Sequence, residues 1–302
     1  MASSLEQEAA LPGQRSAPLA AGSRRGTAAE TVRTVLLHVV VSLGAAVALF
    51  PFWWMVTASF KTDAEIFALP PTVVPMAPTL ENVTNVFTKY PFAHWFLNSV
   101  SVVLLRVPLL VFLTSLAGFA FAKYDFRLRG ALFFVVLGSM TIPFQTLMVP
   151  LYTLTIQTGL KNTLWPLFIP QLANGFGIFL MRQFMTMISD ELLDSARIDG
   201  CSEFGIFWRI AAPLARPALA TLAILSFMRA WNDFVWPLIV LKDKEMFTLP
   251  VGLAIMRGYS IWKVPWGEVM AASFIASVPI LLIFLLMQRH FIGGLQVGSV
   301  KA

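Results

Sequence analysis

The stretch SDELLDSARIDGCSEFGIFWRIAAPLARP, residues 189–217, separates two long apolar runs and predicts a pair of short helices. Ser189 suits the cap of the first helix, because a serine hydroxyl accepts hydrogen bonds from the free backbone N–H groups of an opening turn. Gly200 supplies the positive-φ stop that ends this helix, and Ser202 suits the cap of the second. Charged residues keep the pair in water, whereas leucine, isoleucine and phenylalanine residues give it an apolar side. We therefore expect this segment to dock onto another protein.

The composition indicates that the rest of the chain lies in a membrane. Hydrophobic residues make up 57% of the 302 residues and charged residues only 13%, a balance that soluble domains seldom show. The apolar residues are concentrated in six runs near the length needed to cross a bilayer. We predict an all-α membrane protein with six transmembrane helices, at about 35–58, 97–122, 131–154, 163–181, 218–241 and 269–287.

Residues 1–33 differ from the remainder in composition. They are rich in Ala, Gly and Ser with scattered Arg, and such a segment cannot bury enough apolar surface to fold. We predict a disordered tail here and a membrane domain over residues 34–302. The tail is long for the charged region of a signal peptide, and no small-residue cleavage site follows the first apolar run. That run is therefore expected to remain as a span.

Lysine and arginine residues predict the orientation. Thirteen of them fall on the side of the tail and of the 189–217 stretch, and seven fall on the other side. Because positive charge favours the cytoplasmic side of a span, we expect both termini and the 189–217 stretch to be cytoplasmic. The net charge of +6 then reflects cytoplasmic flanks and gives no reason to expect a nucleic-acid partner.

The sequence carries no motif for catalysis or for a resident cofactor. It has no G-x-x-x-x-G-K-[ST] loop for ATP, and neither a nucleophile elbow nor a zinc-protease motif. Its three histidines are scattered, without metal-ligand spacing, and its single cysteine excludes a disulfide framework. We expect no ATPase site, metal or cofactor on this chain.

The 189–217 stretch resembles the EAA loop of the membrane subunits of binding-protein-dependent ABC importers. That loop has the pattern Glu-Ala-Ala, three residues, Gly, nine residues, Ile-x-Leu-Pro. Residues 194–196, Gly200 and residues 210–213 keep this spacing, with Asp for Glu, Ser for Ala and Ala for Leu. The resemblance implies the ABC importer permease fold, with a cytoplasmic loop whose coupling helices sit in a cleft of the ATPase. The residues it implies for coupling are Asp194, Ser195, Ala196, Ile198, Asp199, Gly200 and Cys201.

Further motifs extend the resemblance over nearly everything from residue 35 onwards. Residues 231–234 (WNDF) and 248–253 (TLPVGL) are similar to the carbohydrate-uptake branch, and in kind to the shorter permease of maltose-type importers. The resemblance implies a multi-pass protein of the bacterial cytoplasmic membrane that carries a sugar or oligosaccharide. It also implies a second homologous permease, two ATPase subunits that bind ATP and Mg, and an extracytoplasmic sugar-binding protein.

Polar residues inside the spans are candidates for the substrate path, because such residues are costly in lipid and usually face a cavity or the bundle interior. An alternative of equal standing is that they form interhelical hydrogen bonds that fix the packing. Arg229 and Asp233, four residues apart, could also pair on one helix face. Arg106 could snorkel outwards, pair with an acid on the partner permease or bind an anionic group of the substrate. The candidates are Trp231, Asn232, Asp233, Asn174, Gln145 and Arg106.

Two other functions remain open from the sequence. If Arg106 lines the path, a sugar phosphate or polyol phosphate becomes a more attractive substrate. A stand-alone secondary transporter would need inverted repeats or an internal ion relay, and the sequence shows neither. An intramembrane enzyme is disfavoured because no catalytic constellation is present.

Overall fold

The computed structural model describes residues 28–258 and 264–296, and within them every regular element is a helix. This confirms the all-α prediction for the part of the chain that is described. Most of the predicted tail lies outside the described residues, but its last residues belong to helix α1, which begins at Ala28. The chain divides into two units, residues 1–51 and 52–302. The first is represented by the beginning of α1, whose apolar side chains are exposed.

Fifteen α-helices are present in the described ranges. Three of them contain a stretch long and apolar enough to cross a membrane, at Val32–Ser59, Phe92–Lys123 and Trp266–Leu286. The helices are α1 Ala28–Ser59, α2 Asp63–Ile66, α3 Glu81–Lys89, α4 Phe92–Lys123, α5 Arg129–Ser139, α6 Phe144–Gln157, α7 Trp165–Phe168, α8 Gly175–Thr186, α9 Asp190–Ile198, α10 Glu203–Ile206, α11 Ala212–Leu214, α12 Arg216–Trp231, α13 Val235–Val240, α14 Leu249–Met256 and α15 Trp266–Gln296.

The segment predicted as the third span, 131–154, is two helices and not one. Helices α5 and α6 meet at an angle of 97° across residues 140–143. Pro143 explains the break, because proline has no backbone N–H to donate to the preceding turn. It also pushes Ile142, the residue before it, out of the helical conformation.

The fourth and fifth predicted spans are also interrupted. Between α7 and α8 the chain forms a 3-10 turn, Ile169–Gln171, and then leaves the helical path until Asn174. Between α12 and α13 it leaves the helical path at Asn232–Phe234. Pro237 contributes to this second break, because it cannot donate a hydrogen bond to the carbonyl four residues earlier. A second pair of bent helical segments, Glu203–Leu214 and Arg216–Trp231, meets at 81°.

Small residues allow α4 and α8 to approach closely. A Cβ atom added to Gly118 would lie 2.6 Å from Cβ of Met181, and one added to Gly177 would lie 3.0 Å from Cγ2 of Thr114. Glycine at such positions lets two helix backbones pack without a side chain between them. The α4–α8 pair therefore forms the firm centre against which the interrupted spans pack.

A polar cap covers the ends of α4 and α15 that lie near residues 89–95 and 266–268. Asn82 donates to the carbonyls of Ser59 and Lys61 at 3.1 and 2.7 Å. Glu268, which is buried, accepts from Lys89 at 2.6 Å and from Tyr90 at 2.9 Å. Burial, reinforced by Glu268, raises the pKa of Tyr90 to about 12. Long polar loops are thus tied to the helices at this end.

Candidate docking hairpin and membrane path

Helices α9 and α10 form a hairpin, Asp190–Ile206, whose first turn is held from α4. Ser189 occupies the cap position of α9, but its side chain makes no capping hydrogen bond, so the predicted cap is wrong in its chemistry. Lys123, at the end of α4, donates instead to Oδ1 of Asp190 at 2.7 Å and to the carbonyl of Ile188. The hydrogen bond from Lys123 is the main cause of a lowered pKa of Asp190. A contact distant in sequence therefore replaces the local cap.

The turn between the two arms has the geometry that the sequence predicts. Gly200 has φ of +80°, and the N–H groups of Gly200 and Cys201 donate to the carbonyls of Arg197 and Ala196, each at 3.0 Å. This pair of hydrogen bonds is the Schellman motif, which commonly ends a helix. Ser202 accepts from the N–H of Gly205 at 3.2 Å, so the predicted caps at Gly200 and Ser202 are confirmed.

Charged side chains join the two arms of the hairpin. Arg197 of α9 donates to Asp194 at 2.6 Å and to the two carboxylate oxygens of Glu203 at 2.9 and 3.3 Å. Glu203, at the start of α10, also accepts from the hydroxyl of Tyr124. Arg197, and then Tyr124, lower the pKa of Glu203, whereas burial and Glu203 raise the pKa of Tyr124 to about 12. Arg197 and Glu203 therefore lock the arms together and tie them to the end of α4.

Apolar side chains anchor the inner face of the hairpin. Leu193 and Ile206, one from each arm, are fully buried, and Ala196 is buried beside them. Full burial of one such leucine or isoleucine contributes about 1.5–3 kcal/mol. The other buried members of this cluster are Leu110, Phe119, Met181, Met185, Phe207, Ala211, Ala215, Ala218 and Leu222. The hairpin is thus part of the packed core and not a loose loop.

The outer face of the hairpin exposes apolar side chains among charged ones. Ile198 is 87% exposed, and Phe204 and Leu192 are 58% and 45% exposed. The structure places all seven predicted coupling residues on the hairpin or its turn, but Ala196 points inwards. Its small size serves packing within the chain. Asp194, Ser195, Ile198, Asp199 and Gly200 are exposed, Ala196 is buried and Cys201 is half-buried.

A short π-helical segment, Phe207–Ala211, connects the hairpin to the membrane-directed helices. Such segments are rare and occur frequently at functional sites. The chain then passes through α11 and turns by 81° into α12. The hairpin is therefore joined to the N-terminal end of α12 by residues 207–215.

Two of the predicted path residues serve the packing of the chain. Trp231 is buried, stacks on Phe227 at 5.7 Å between ring centres and donates from Nε1 to the carbonyl of Ala276 at 3.1 Å. Asn174 caps α8 by accepting from the N–H of Gly177 at 2.7 Å. These contacts favour the packing alternative for both residues.

Asn232 and Gln145 are exposed. Asn232 lies in the break after α12 and donates to the carbonyl of Met228 at 2.9 Å, which leaves its amide oxygen available. Gln145 lies in the first turn of α6, beside the break at Pro143. Both candidates therefore flank interruptions of the predicted spans.

Arg106 is buried and has partners within its own chain. Its Nη1 atom lies 3.8 Å from Oδ2 of Asp233, and its Nη2 atom donates to Oε1 of Gln171 at 3.3 Å. It neither snorkels outwards nor needs an acid from another subunit. The Arg229–Asp233 pair is not formed, since the Arg229 guanidinium lies over the ring of Phe176 at 6.0 Å. The sequence analysis did not predict Gln171 as a partner of Arg106. The available signal was a side-chain amide beside a proline in an apolar run.

Within residues 28–258 and 264–296, no group of three or more His, Cys, Asp or Glu side chains could hold a metal ion. The hairpin and the interrupted spans are thus the features that remain for function. The first offers an outward-facing surface with exposed apolar side chains, and the second places polar groups at breaks in the predicted spans.

Comparisons with known proteins agree with this arrangement. The family model described as "Binding-protein-dependent transport system inner membrane component" matches residues 111–296. The arabinooligosaccharides transport system permease protein AraQ of Halalkalibacterium halodurans is 39% identical, over 88% of this chain and 96% of its own length. The lactose transport system permease protein LacG of Rhizobium radiobacter is 34% identical, over 88% and 96%.

A solved structure shows the same fold. The crystal structure of a bacterial ABC transporter involved in the import of the acidic polysaccharide alginate contains a chain that superposes with a TM-score of 0.77. The match covers 88% of this chain and 99% of that one, at 22% identity. With the family model and the two relatives, it leaves one conclusion: the chain belongs to the binding-protein-dependent transport system inner membrane components, the permease subunits of ABC importers.

Proposed function

We propose that this chain is the permease subunit of an importer for a sugar or oligosaccharide, in which the hairpin Asp190–Ile206 couples transport to ATP hydrolysis. The observation that carries the proposal is the hairpin's two-sided construction. Leu193 and Ile206 bury its inner face in a core cluster that also contains residues of α4 and α8, while Ile198 and Phe204 project outwards. An element that transmits movement between proteins needs a rigid attachment to its own subunit. It also needs an exposed surface that a partner can bind.

The proposed partners follow from what this chain lacks and what it presents. Two ATPase subunits, with ATP and Mg bound to them, would receive the outer face of the hairpin, and a second permease would complete the path. A second similar structure is that of a bacterial alginate ABC transporter in complex with a periplasmic protein that carries an alginate pentasaccharide. This supports an extracytoplasmic binding protein as the fourth type of component here.

We infer six spans, with the hairpin and both termini on the cytoplasmic side of the bacterial cytoplasmic membrane. This count takes α5 with α6 as one broken span, α7 with α8 as a second and α12 with α13 as a third, in addition to α1, α4 and α15. Broken spans are tolerated at membrane depth only where protein covers them or where they line a water-filled cavity. They are also the usual place of substrate sites in transporters.

The substrate class rests on the relatives, which are named for arabinooligosaccharides and lactose. Asn232 is the path candidate best placed to meet a sugar hydroxyl, because it is exposed within a break. A sugar phosphate has less support, since the guanidinium of Arg106 is engaged by Asp233 and Gln171. A stand-alone transporter would give the hairpin's exposed apolar residues nothing to bind.

Replacing Ile198 with aspartate tests the proposal, because Ile198 is the most exposed apolar side chain of the hairpin. We expect the chain to insert and fold normally, but to lose its ATPase subunits on co-purification or to lose substrate-stimulated ATP hydrolysis. Met76→Asp is the matched control, since Met76 is 81% exposed and lies in the loop between α2 and α3, far from the hairpin in sequence. Unchanged stimulated hydrolysis in the Ile198→Asp complex would contradict coupling through this surface.

A further inference from the structure

Arg106 is an unusual residue for its position, a charged side chain that is 5% exposed in the middle of an apolar helix. Charges at membrane depth are costly unless they are paired, and truncating one partner of a buried pair leaves an uncompensated charge. Its Nε and Nη1 atoms have no hydrogen-bond partner among the described residues. The pairing with Asp233 is therefore largely electrostatic, and two of the three guanidinium nitrogen atoms make no hydrogen bond to the described residues.

The two partners of Arg106 come from breaks in two different predicted spans. Gln171 ends the 3-10 turn between α7 and α8, and Asp233 lies in the Asn232–Phe234 break between α12 and α13. Arg106 itself belongs to α4, which is continuous. A side chain on an unbroken helix thus contacts the two places where neighbouring spans have lost helical hydrogen bonds.

Breaks of this kind are where a span can bend, because a few residues outside the helix absorb changes in φ and ψ. The long 3.8 Å separation between Arg106 and Asp233 retains attraction in a low-dielectric interior without fixing a single hydrogen-bond geometry. The unused Nε and Nη1 donors can then take new partners when either break moves. A planar guanidinium with five donors suits this task better than an ammonium group does.

We propose that Arg106 is a positioning residue that links the break at Gln171 to the break at Asp233, so that the two broken spans change conformation together during transport. The inference rests on the proposed function, since it requires an importer that alternates between states. It assigns Arg106 no contact with the substrate. Its role is to couple the conformational changes of the two broken spans.

Site-directed labelling of the complete transport complex tests this link. A Cys201→Ser background removes the chain's single cysteine, and a cysteine is then placed at Ala173 or at Asn232. Both positions are exposed and each lies in one of the two breaks. Their rates of reaction with a hydrophilic maleimide are measured in lipid nanodiscs, with and without trapping by ATP and vanadate.

With Arg106 present, we expect trapping to change the labelling rates at both positions. With Arg106→Gln, we expect at least one of the two changes to fall about tenfold, which corresponds to about 1.4 kcal/mol of lost coupling. Retention of both changes in the Arg106→Gln complex would overturn the inference. If trapping changes neither position even with Arg106 present, then the alternating function itself fails and the link fails with it.

The double variant Arg106→Gln/Asp233→Asn keeps the test valid if the single variant does not fold. It removes both charges and leaves no buried charge unpaired, so we expect it to assemble with its partner subunits. A merely structural role for the pair predicts that the double variant recovers concerted labelling, and this result would refute the proposal. We expect assembly to recover while the two positions remain uncoupled.

Discussion

Replacing Gly200 with alanine isolates the contribution of the turn to the hairpin. Gly200 has φ of +80°, and an added Cβ would meet no atom within 4 Å. The substitution therefore destabilises the closed turn through the backbone alone. This destabilisation is about 1–2 kcal/mol for a non-glycine residue in the left-handed region. A loss of this size raises the population of the opened turn by roughly 5- to 30-fold. Gly200→Asn should lose less, because asparagine tolerates positive φ.

Amide hydrogen exchange measures this opening directly, because the N–H groups of Gly200 and Cys201 make the two bonds that close the turn. We expect the peptide covering residues 196–201 to exchange faster in Gly200→Ala by that factor. Gly138→Ala is the control, since Gly138 also has open space around it but lies within helix α5. There alanine is expected to be neutral or to stabilise by up to about 1 kcal/mol. Equal protection of the turn in Gly200→Ala and the parent would show that the positive φ at residue 200 does not limit the stability of the turn.

Two further predictions concern charge and packing. The pKa of Glu203 is lowered in the folded chain, so its ionised carboxylate stabilises the hairpin. This stabilisation is complete above the unfolded pKa of about 4.3 and is lost as the pH falls through the lower folded pKa. Amide hydrogen exchange of the hairpin, corrected for intrinsic exchange rates, should therefore accelerate on acidification in the parent and accelerate less in Glu203→Gln. An equal acceleration in both proteins would contradict this prediction. Gly252→Ala should lower the melting temperature strongly or prevent expression, because its Cβ would lie 2.1 Å from Cε3 of Trp95, and overpacking costs about 1–3 kcal/mol or more. Gly138→Ala again serves as the control, and a melting temperature equal to that of the parent would argue against the close contact.

Local signals in the sequence predicted the hairpin well. The stop at Gly200 and the cap at Ser202 depend only on residues close in sequence, and the structure confirms both. The capping bond predicted for Ser189 failed because Lys123, far away in sequence, supplies the charge that holds the first turn. The inward position of Ala196 could not be predicted either, because it depends on which face of α9 joins the packed core.

Three of the six predicted spans correspond to single helices long and apolar enough to cross a membrane, but the interruptions of the other three were not predicted, and the number six stays a prediction. Averaged hydropathy is insensitive to one or two non-helical residues, so Pro143 and Pro237 were the available signals, and each removes one backbone donor. The partners of Arg106 were beyond sequence reasoning. Asp233 lies 3.8 Å away although 126 intervening residues separate the two in the chain, and charge alone did not distinguish an internal partner from an external one.

The polar cap has a consequence for encounter kinetics at the end of the permease that we propose to face outwards. Residues 60–91 at this end are already held by internal hydrogen bonds, such as those of Asn82 with Lys61 and of Lys89 with Glu268, before any binding protein arrives. A preordered surface spares an incoming partner most of the entropy cost of immobilising loops. Successful docking then depends mainly on collision frequency and orientation, which salt concentration modulates through exposed charges. This preordered surface would favour frequent, short-lived complexes with the binding protein, which must release its substrate and then dissociate.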